Sequence, residues 1–106
     1  MAQEDIYHIS AFAFKVYDLV ISIPKGKVSS YGDIARALGE PGAARAVGRA
    51  LNKNPFSPQV PCHRVVKSNG LVGGFFDGYN KKLRLLKQEG VKIKQNRVAR
   101  ECFYGF

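Results

Sequence analysis

The chain has 106 residues, of which 45% are hydrophobic and 24% charged, a composition typical of one soluble globular domain. It contains no apolar run near the roughly 18 residues of a membrane span, and its N-terminus lacks the pattern of a secretory signal. The two cysteines share no metal-ligand spacing with the two histidines. We therefore expect a single domain over residues 1–106, monomeric and cytoplasmic (nuclear in a eukaryote), with no metal, cofactor or membrane partner.

The charge is unevenly distributed along the chain. Lys and Arg number 17 against 8 acidic residues, which gives a net charge of +9. Between Glu40 and Asp77 no acidic residue occurs, and the basic residues there are Arg45, Arg49, Lys53, Arg64 and Lys67. Such a stretch repels itself unless a polyanion offsets the charge, which favours nucleic acid as the partner. A solvated basic face explains the charge alone about as well.

Three helices are predicted in the first half of the chain. Apolar residues at helical spacing predict a first helix over residues 10–23, ended by Pro24. Ser30 is placed to cap a second helix that ends at Gly39, and a third helix follows over residues 43–51. Two short helices joined by a glycine-containing turn are typical of a helix-turn-helix.

The third helix combines a thin body with a basic edge. Arg45, Arg49 and Lys53 recur every four residues and so share one face, while Ala44 and Gly48 add little bulk. A thin helix can lie close to DNA with its cations at the phosphates. A short, tightly packed core helix is the alternative, but it leaves three aligned cations without a partner. We therefore expect this helix to contact DNA.

Turns and short strands are predicted to follow. Ser68-Asn69-Gly70 has hairpin-turn chemistry, so residues 71–76 are predicted to return as a strand or wing. Asn80 is placed to cap a last helix, and residues 91–100 are predicted to pair around Gln95-Asn96. The pattern as a whole predicts a mainly α, winged helix-turn-helix DNA-binding domain with a short β hairpin.

Cys62 has the neighbours of a reactive thiol. Pro61 fixes the backbone before it, and a thiol near His63 and Arg64 ionises more readily to the nucleophilic thiolate. Because adjacent side chains usually point apart, we expect His63 to act on Cys62 through a water molecule. Spacing alone does not identify the carboxylate that orients His63. Cys102 is interpreted as an inert core residue.

Residues 61–66, Pro-Cys-His-Arg-Val-Val, resemble the active-site motif of the O6-alkylguanine-DNA alkyltransferases, also called methylated-DNA–protein-cysteine methyltransferases. Four further segments resemble the family in order and spacing, namely residues 30–35, 44–48, 54–55 and 88–90. The resemblance covers residues 8–93, nearly the whole of the family's C-terminal domain. The N-terminal domain that most members carry is expected to be absent.

The resemblance implies a DNA-repair protein that flips O6-alkylguanine out of duplex DNA and transfers the alkyl group irreversibly to its own Cys62. It implies that His63 deprotonates Cys62 through a water molecule and that Glu89 orients His63. Each molecule would act once, because the thioether product is stable. The expected partner is double-stranded DNA containing O6-alkylguanine.

The resemblance also implies which residues hold the DNA and the damaged base. Arg45 corresponds to the arginine that fills the stack when the base leaves it, and Tyr31 to the tyrosine beside the flipped nucleotide. The expected DNA contacts are Tyr31, Ala44, Arg45, Gly48, Arg49 and Arg64. The expected substrate-binding residues are Tyr31, Asn54, Val65, Phe76 and Lys82. Among these, the Val65 carbonyl would accept from the guanine amino group, and Lys82 would lie near the reacting oxygen.

Two alternatives stay open. Alkyltransferase-like proteins have this single-domain size and bind O6-alkylguanine without transferring it, flagging it for nucleotide excision repair; tryptophan often replaces their cysteine. Phe76 and Asp77 depart from the family's Tyr-Ser-Gly-Gly, but the presence of Cys62 with His63 and Glu89 favours an active transferase. A winged-helix regulator is the second alternative, and it leaves the Cys-His pair unexplained.

Overall fold

The computed structural model describes residues 9–74 and 78–106 and is mainly helical. The helices are α1 (Ala11–Ile21), α2 (Tyr31–Ala37), α3 (Ala44–Asn52) and α4 (Tyr79–Gln88). The strands are β1 (Ser29–Ser30), β2 (Val65–Val66), β3 (Ile93–Lys94) and β4 (Arg97–Val98), and 3₁₀ turns lie at Cys62–Arg64 and Arg100–Cys102. None of the helices in the described ranges is long and apolar enough to cross a membrane.

Serine side chains cap α1 and α2, and the cap of α2 by Ser30 is the predicted one. The Ser10 hydroxyl accepts a hydrogen bond from the Ala13 N–H, and the Ser30 hydroxyl accepts one from the Asp33 N–H, both at 3.0 Å. Gly39, with φ +77°, turns the chain after α2. α2 and α3 pack against each other and α1 packs against α3. The predicted helix-turn-helix is confirmed, and α1 ends two residues before the predicted position.

Strand β2 separates two apolar cores. β1 and β2 pair in parallel, with Ser29 opposite Val65 and Ser30 opposite Val66. Because successive strand residues face opposite sides, Val65 packs into a helical core with residues of α1, α2 and α3. Val66 packs into a C-terminal core, whose other buried members are Val28, Val72, Leu86, Val91, Val98 and Cys102.

The predicted strand over residues 71–76 differs from the structure. The turn at residues 68–70 forms, closed by the Lys67 N–H donating to the Leu71 carbonyl at 3.0 Å. However, β2 pairs with β1, and Leu71 bridges instead to Arg97 of the C-terminal hairpin. Beyond the Lys67–Leu71 bond that closes the turn, the outgoing arm therefore pairs with a segment 26 positions away. Residues 75 and 76 of this prediction lie outside the described residues.

The C-terminal segment forms the predicted hairpin. Ile93 pairs with Val98 and Lys94 with Arg97 in antiparallel register. Gln95 and Asn96 have φ values of 52° and 69°, the left-handed conformations that a two-residue turn requires. The hairpin completes the C-terminal core.

The predicted cap of the last helix is wrong. Asn80 lies inside α4, and Gly78 occupies the cap position with φ +96°. A glycine reaches this conformation without steric cost, so the backbone rather than an Asn side chain turns the chain into the helix. Leu86 is fully buried on the inner side of α4.

Candidate active site

Cys62 lies buried in the 3₁₀ turn that leads into β2, with 5% of its surface exposed. The loop before it is held by Asn54, whose amide donates to the Val60 carbonyl and accepts from the Phe56 N–H, both at 2.9 Å. The Cys62 N–H in turn donates to the Val60 carbonyl at 2.8 Å. Asn54 is therefore placed to fix the approach of the chain to the thiol.

His63, Arg64 and Glu89 form a hydrogen-bonded group next to Cys62. His63 Nε2 lies 3.0 Å from Glu89 Oε2. Arg64 donates from Nε to Oε1 at 2.9 Å and from Nη2 to Oε2 at 2.8 Å, a bidentate pair with the same carboxylate. A third bond joins Arg64 Nη1 to the Ile23 carbonyl at 2.8 Å. Glu89 follows α4, so helix packing brings it to the motif.

The surroundings keep His63 neutral and Glu89 charged. Burial lowers the pKa of His63, which outweighs the opposing effect of Glu89. Burial alone would raise the pKa of Glu89, but hydrogen bonds from Arg64 and His63 outweigh it and lower that pKa. A neutral His63 that donates from Nε2 to Glu89 has Nδ1 free to accept a proton.

The Cys62 thiol is held in its protonated form. Burial raises the pKa of Cys62, although hydrogen bonds from Asn54 and its own backbone, the charge of Lys82 and a hydrogen bond from Ser57 act in the opposite direction. A protonated thiol needs a base before it can act as a nucleophile. Sequence reasoning missed Ser57, because nothing in its spacing distinguishes it from other loop serines.

Lys82 lies fully buried beneath the site. Its Nζ donates to the Val65 carbonyl at 2.7 Å and to the Gly74 carbonyl at 3.0 Å. It also lies 5.8 Å from the centroid of the Tyr31 ring. Burial lowers the pKa of Lys82 from 10.5 to about 8. The lysine thus stays mostly charged at neutral pH and ties β2, Tyr31 and the loop before α4 together.

The predicted DNA-facing helix carries its cations outward. Arg45 and Arg49 are exposed on α3, whereas Val47 is fully buried. A Cβ atom added at Gly48 would lie 3.9 Å from the Tyr31 ring, so Tyr31 packs directly against the glycine face of α3. Burial, and secondly Cys62, raises the pKa of Tyr31, so its phenol stays a hydrogen-bond donor.

A family model matches this arrangement over most of the chain. The model describes the DNA-binding domain of 6-O-methylguanine DNA methyltransferase, and it matches residues 11–91. The chain belongs to this family.

Known members and solved structures resemble this methyltransferase-family domain closely. The methylated-DNA–protein-cysteine methyltransferase of Mycobacterium leprae is 47% identical over 78 residues, which are 74% of this chain and 47% of that protein. Mycobacterium tuberculosis OGT in complex with DNA is 45% identical with a TM-score of 0.72, covering 76% of this chain and 49% of that one. The chain thus spans about half the length of these relatives.

A solved structure of similar length also resembles this domain. Schizosaccharomyces pombe Atl1, in complex with damaged DNA containing O6-carboxymethylguanine, is 38% identical with a TM-score of 0.79. The match covers 90% of this chain and 95% of that one. The chain therefore resembles both OGT, of which the match covers about half, and Atl1, of which it covers nearly all.

The residues predicted for catalysis meet at one place in this domain. Cys62 and His63 share the 3₁₀ turn, and the hydrogen bond to Glu89 joins them to the end of α4. Three further predicted residues border the same turn. Asn54 does so through its bond to the Val60 carbonyl, and Val65 follows the turn as the first residue of β2, where its carbonyl accepts from Lys82. Phe76 lies outside the described residues.

Arg64 is placed differently from the other predicted DNA contacts. The Arg64 side chain is only 16% exposed, and its guanidinium donates hydrogen bonds to the Glu89 carboxylate and the Ile23 carbonyl. Arg45 and Arg49, in contrast, are exposed. The expectation came from its charge and motif position, which do not reveal an internal partner. In the free protein the Arg64 guanidinium therefore holds Glu89 in place, and its contact with DNA stays a prediction.

Proposed function

We propose that this protein recognises O6-alkylguanine in duplex DNA and transfers the alkyl group to the sulfur of Cys62. The observation that carries the proposal is the buried Cys62 thiol next to a neutral His63 that is hydrogen-bonded to Glu89 at 3.0 Å. A histidine oriented in this way is a general base suited to a thiol nucleophile.

In the proposed reaction, the Cys62 proton moves to His63 Nδ1, through a water molecule where the two groups do not touch. The thiolate then attacks the alkyl carbon, an S–C bond forms, and the C–O6 bond breaks with its electron pair going to the guanine. The guanine takes up one proton, which balances the proton lost by the thiol. No step returns the sulfur to its free state, so each molecule reacts once.

The electrostatics of the free protein support this order of events. Burial disfavours both a Cys62 thiolate and a protonated His63, so the neutral pair is stable before DNA binds. Glu89 stabilises the imidazolium that forms during the reaction, and Arg64 keeps Glu89 charged and oriented. Lys82 supplies a nearby cation that favours the thiolate.

The proposed route to the base uses α3. O6 of guanine lies inside the paired stack, so the nucleotide must leave the helix before a protein thiolate can reach it. Arg45 lies exposed on α3 and is proposed to fill the gap, while Tyr31, packed on Gly48, is proposed to lie beside the flipped nucleotide. Arg49 is proposed to contact phosphate.

A lesion-binding role without transfer is the second candidate. The observation that favours it is the structural match to Atl1, which has a TM-score of 0.79 against 0.72 for OGT. Phe76 and Asp77 also alter a segment that the resemblance places at the base pocket. In this case the Cys62 thiol would contact the alkyl group and remain unmodified.

Intact-protein mass spectrometry after incubation with duplex DNA containing O6-methylguanine separates the two candidates. We expect a gain of one methyl group, mapped by peptide analysis to Cys62, and its loss in Cys62→Ser. Cys102→Ser is the matched control, because Cys102 is also buried but lies in the C-terminal core. Selective binding with no change in mass would support lesion binding alone, and binding with no lesion preference would refute both candidates.

A further inference from the structure

The C-terminal hairpin, defined as residues 92–100, is a strongly basic element beyond the region that the family model matches. Four of its nine residues are cations, and all four are exposed: Lys92, Lys94, Arg97 and Arg100. The neighbouring Glu101 carboxylate pairs with Lys92 at 2.7 Å. The charge of the other cations is therefore left without an acidic partner on the hairpin.

Two of these cations face each other directly. Lys94 and Arg97 are opposite partners in the β3–β4 register, next to the Gln95-Asn96 turn. Side chains at opposite positions of an antiparallel pair lie on the same face, and like charges there are destabilising. The Arg97 guanidinium donates to the neutral Asn69 carbonyl, and no ion pair to either cation occurs within residues 9–74 and 78–106. No acidic side chain in the described residues therefore offsets the charges of these two cations at the tip of the hairpin.

The hairpin is attached to the turn at residues 67–72. The Val98 N–H donates to the Gly70 carbonyl at 2.8 Å, and the Val72 N–H donates to the Asn96 carbonyl at 3.1 Å. These two backbone bonds, which together form the antiparallel Leu71–Arg97 bridge, fix its orientation.

The same turn also contacts the helix-turn-helix. A Cβ atom added at Gly32 would lie 2.8 Å from the Ser68 hydroxyl, so the turn abuts the first residues of α2. The neighbouring Tyr31 packs on Gly48 of α3. The hairpin, the turn, α2 and α3 thus form one continuous series of contacts, which joins the hairpin to the proposed DNA-facing helix.

We propose that the C-terminal hairpin is a second phosphate-binding element, in which Lys94 and Arg97 contact the DNA backbone beside the damaged site. The proposal takes DNA as the partner from the proposed function but does not depend on alkyl transfer. A phosphate between the two cations replaces their repulsion by attraction, and duplex DNA carries about one charge per 1.7 Å of its axis. Such contacts set register and affinity without reading sequence.

The test measures duplex binding by fluorescence anisotropy from 50 to 200 mM salt, for the wild type and for Lys94→Ala/Arg97→Ala. The slope of log K against log salt is negative, and each lost phosphate contact reduces its magnitude by about 0.9. We therefore expect the magnitude to be smaller by about 2 in the double variant. Over this fourfold salt range the wild type should then lose about 12-fold more affinity than the variant. The loss should be equal for undamaged and O6-methylguanine DNA, so lesion preference is retained.

Two controls distinguish a local contact from a change in net charge. Arg84→Ala/Lys87→Ala removes the same charge from the exposed side of α4, opposite the buried Lys82 and Leu86, and should leave the slope near the wild-type value. Lys94→Arg/Arg97→Lys keeps both charges and should bind like the wild type. An unchanged slope in the hairpin variant, or an equal drop in the α4 variant, would overturn the proposal.

Folding and transfer are measured separately. Circular dichroism should show an unchanged melting temperature or a higher one for Lys94→Ala, since a repulsion is removed. For Lys94→Ala alone, the magnitude of the slope of log K against log salt should fall by about 1. If the double variant unfolds, this single variant serves as the test of the proposed phosphate contact. A wild type that binds with this slope but acquires no methyl group would refute the proposed transfer and leave the hairpin contact standing.

Discussion

Replacing Lys82 with methionine isolates the contribution of a fully buried ammonium group to stability. Lys82 is a fully buried side chain, and its partners are the neutral carbonyls of Val65 and Gly74. Methionine keeps a long, flexible, unbranched shape but carries no charge. The difference in the free energy of unfolding between the two proteins, followed against pH, therefore reports the titration of Lys82 alone.

The sign follows from proton binding in the two states. The unfolded chain holds the Lys82 proton up to about pH 10.5, whereas burial lowers the pKa in the folded protein to about 8. Between these values the unfolded state binds more protons, so the free energy of unfolding rises with pH. The difference between the two pKa values corresponds to about 3 kcal/mol, because each pKa unit is worth about 1.4 kcal/mol. This contribution is complete above pH 10.5 and is lost as the pH falls through 8.

The assay is urea unfolding at pH values from 7 to 10.5, with Cys62→Ser as the background for both proteins. The background removes a thiol that titrates in the same range and interacts with Lys82. Tyrosines and other lysines titrate in both proteins and cancel in the difference.

We expect the stability of the protein with Lys82 intact, relative to the Lys82→Met variant, to rise by about 3 kcal/mol across this range. A difference that stays constant, or that falls with pH, would refute the reasoning and mean that Lys82 does not carry a buried charge at neutral pH.

Three further substitutions test the proposed catalytic group, the helix cap and the proposed DNA-facing helix. Glu89→Gln removes a largely buried carboxylate from Arg64 and His63, and should lower the free energy of unfolding in urea by about 3 kcal/mol and slow methyl transfer; unchanged stability would contradict the observed pairing. Ser30→Ala removes the N-cap of α2 and should cost about 1 kcal/mol in the same assay, with Ser30→Thr as the control that keeps the hydroxyl. Arg45→Ala should slow transfer from duplex DNA but not from free O6-methylguanine, measured as single-turnover rates; equal slowing would remove its role in base extrusion.

Several features of the fold follow from local chemistry and were predictable from the sequence. The Ser30 cap, the turn at Gly39 and the Gln95-Asn96 hairpin each depend on the preferences of a few neighbouring residues. The prediction for Asn80 was wrong because a second local solution, Gly78 with positive φ, lay two residues earlier. Hydrophobic periodicity and capping residues therefore predict that a helix is present, but they do not decide at which of two nearby residues it begins.

The candidate site was only partly predictable. The sequence singles out Cys62 and His63, because the residues that make a thiol reactive lie next to Cys62 in the chain. Glu89 entered only through the family resemblance, since it lies 26 residues from His63. Ser57 had no signal in the sequence, and its contact with Cys62 comes from the fold of the intervening loop.

By itself, then, the sequence determined the helix-turn-helix, the hairpin and the choice of Cys62 as the candidate nucleophile, since each depends on interactions within a few residues. Only the tertiary structure decided the partners of the buried charges. Arg64 turns inward to Glu89, 25 residues away, and Lys82 reaches the Val65 carbonyl across 17 residues. A buried charge costs free energy unless polar atoms surround it, and those atoms come together only when α4 packs against the Cys62–Arg64 turn.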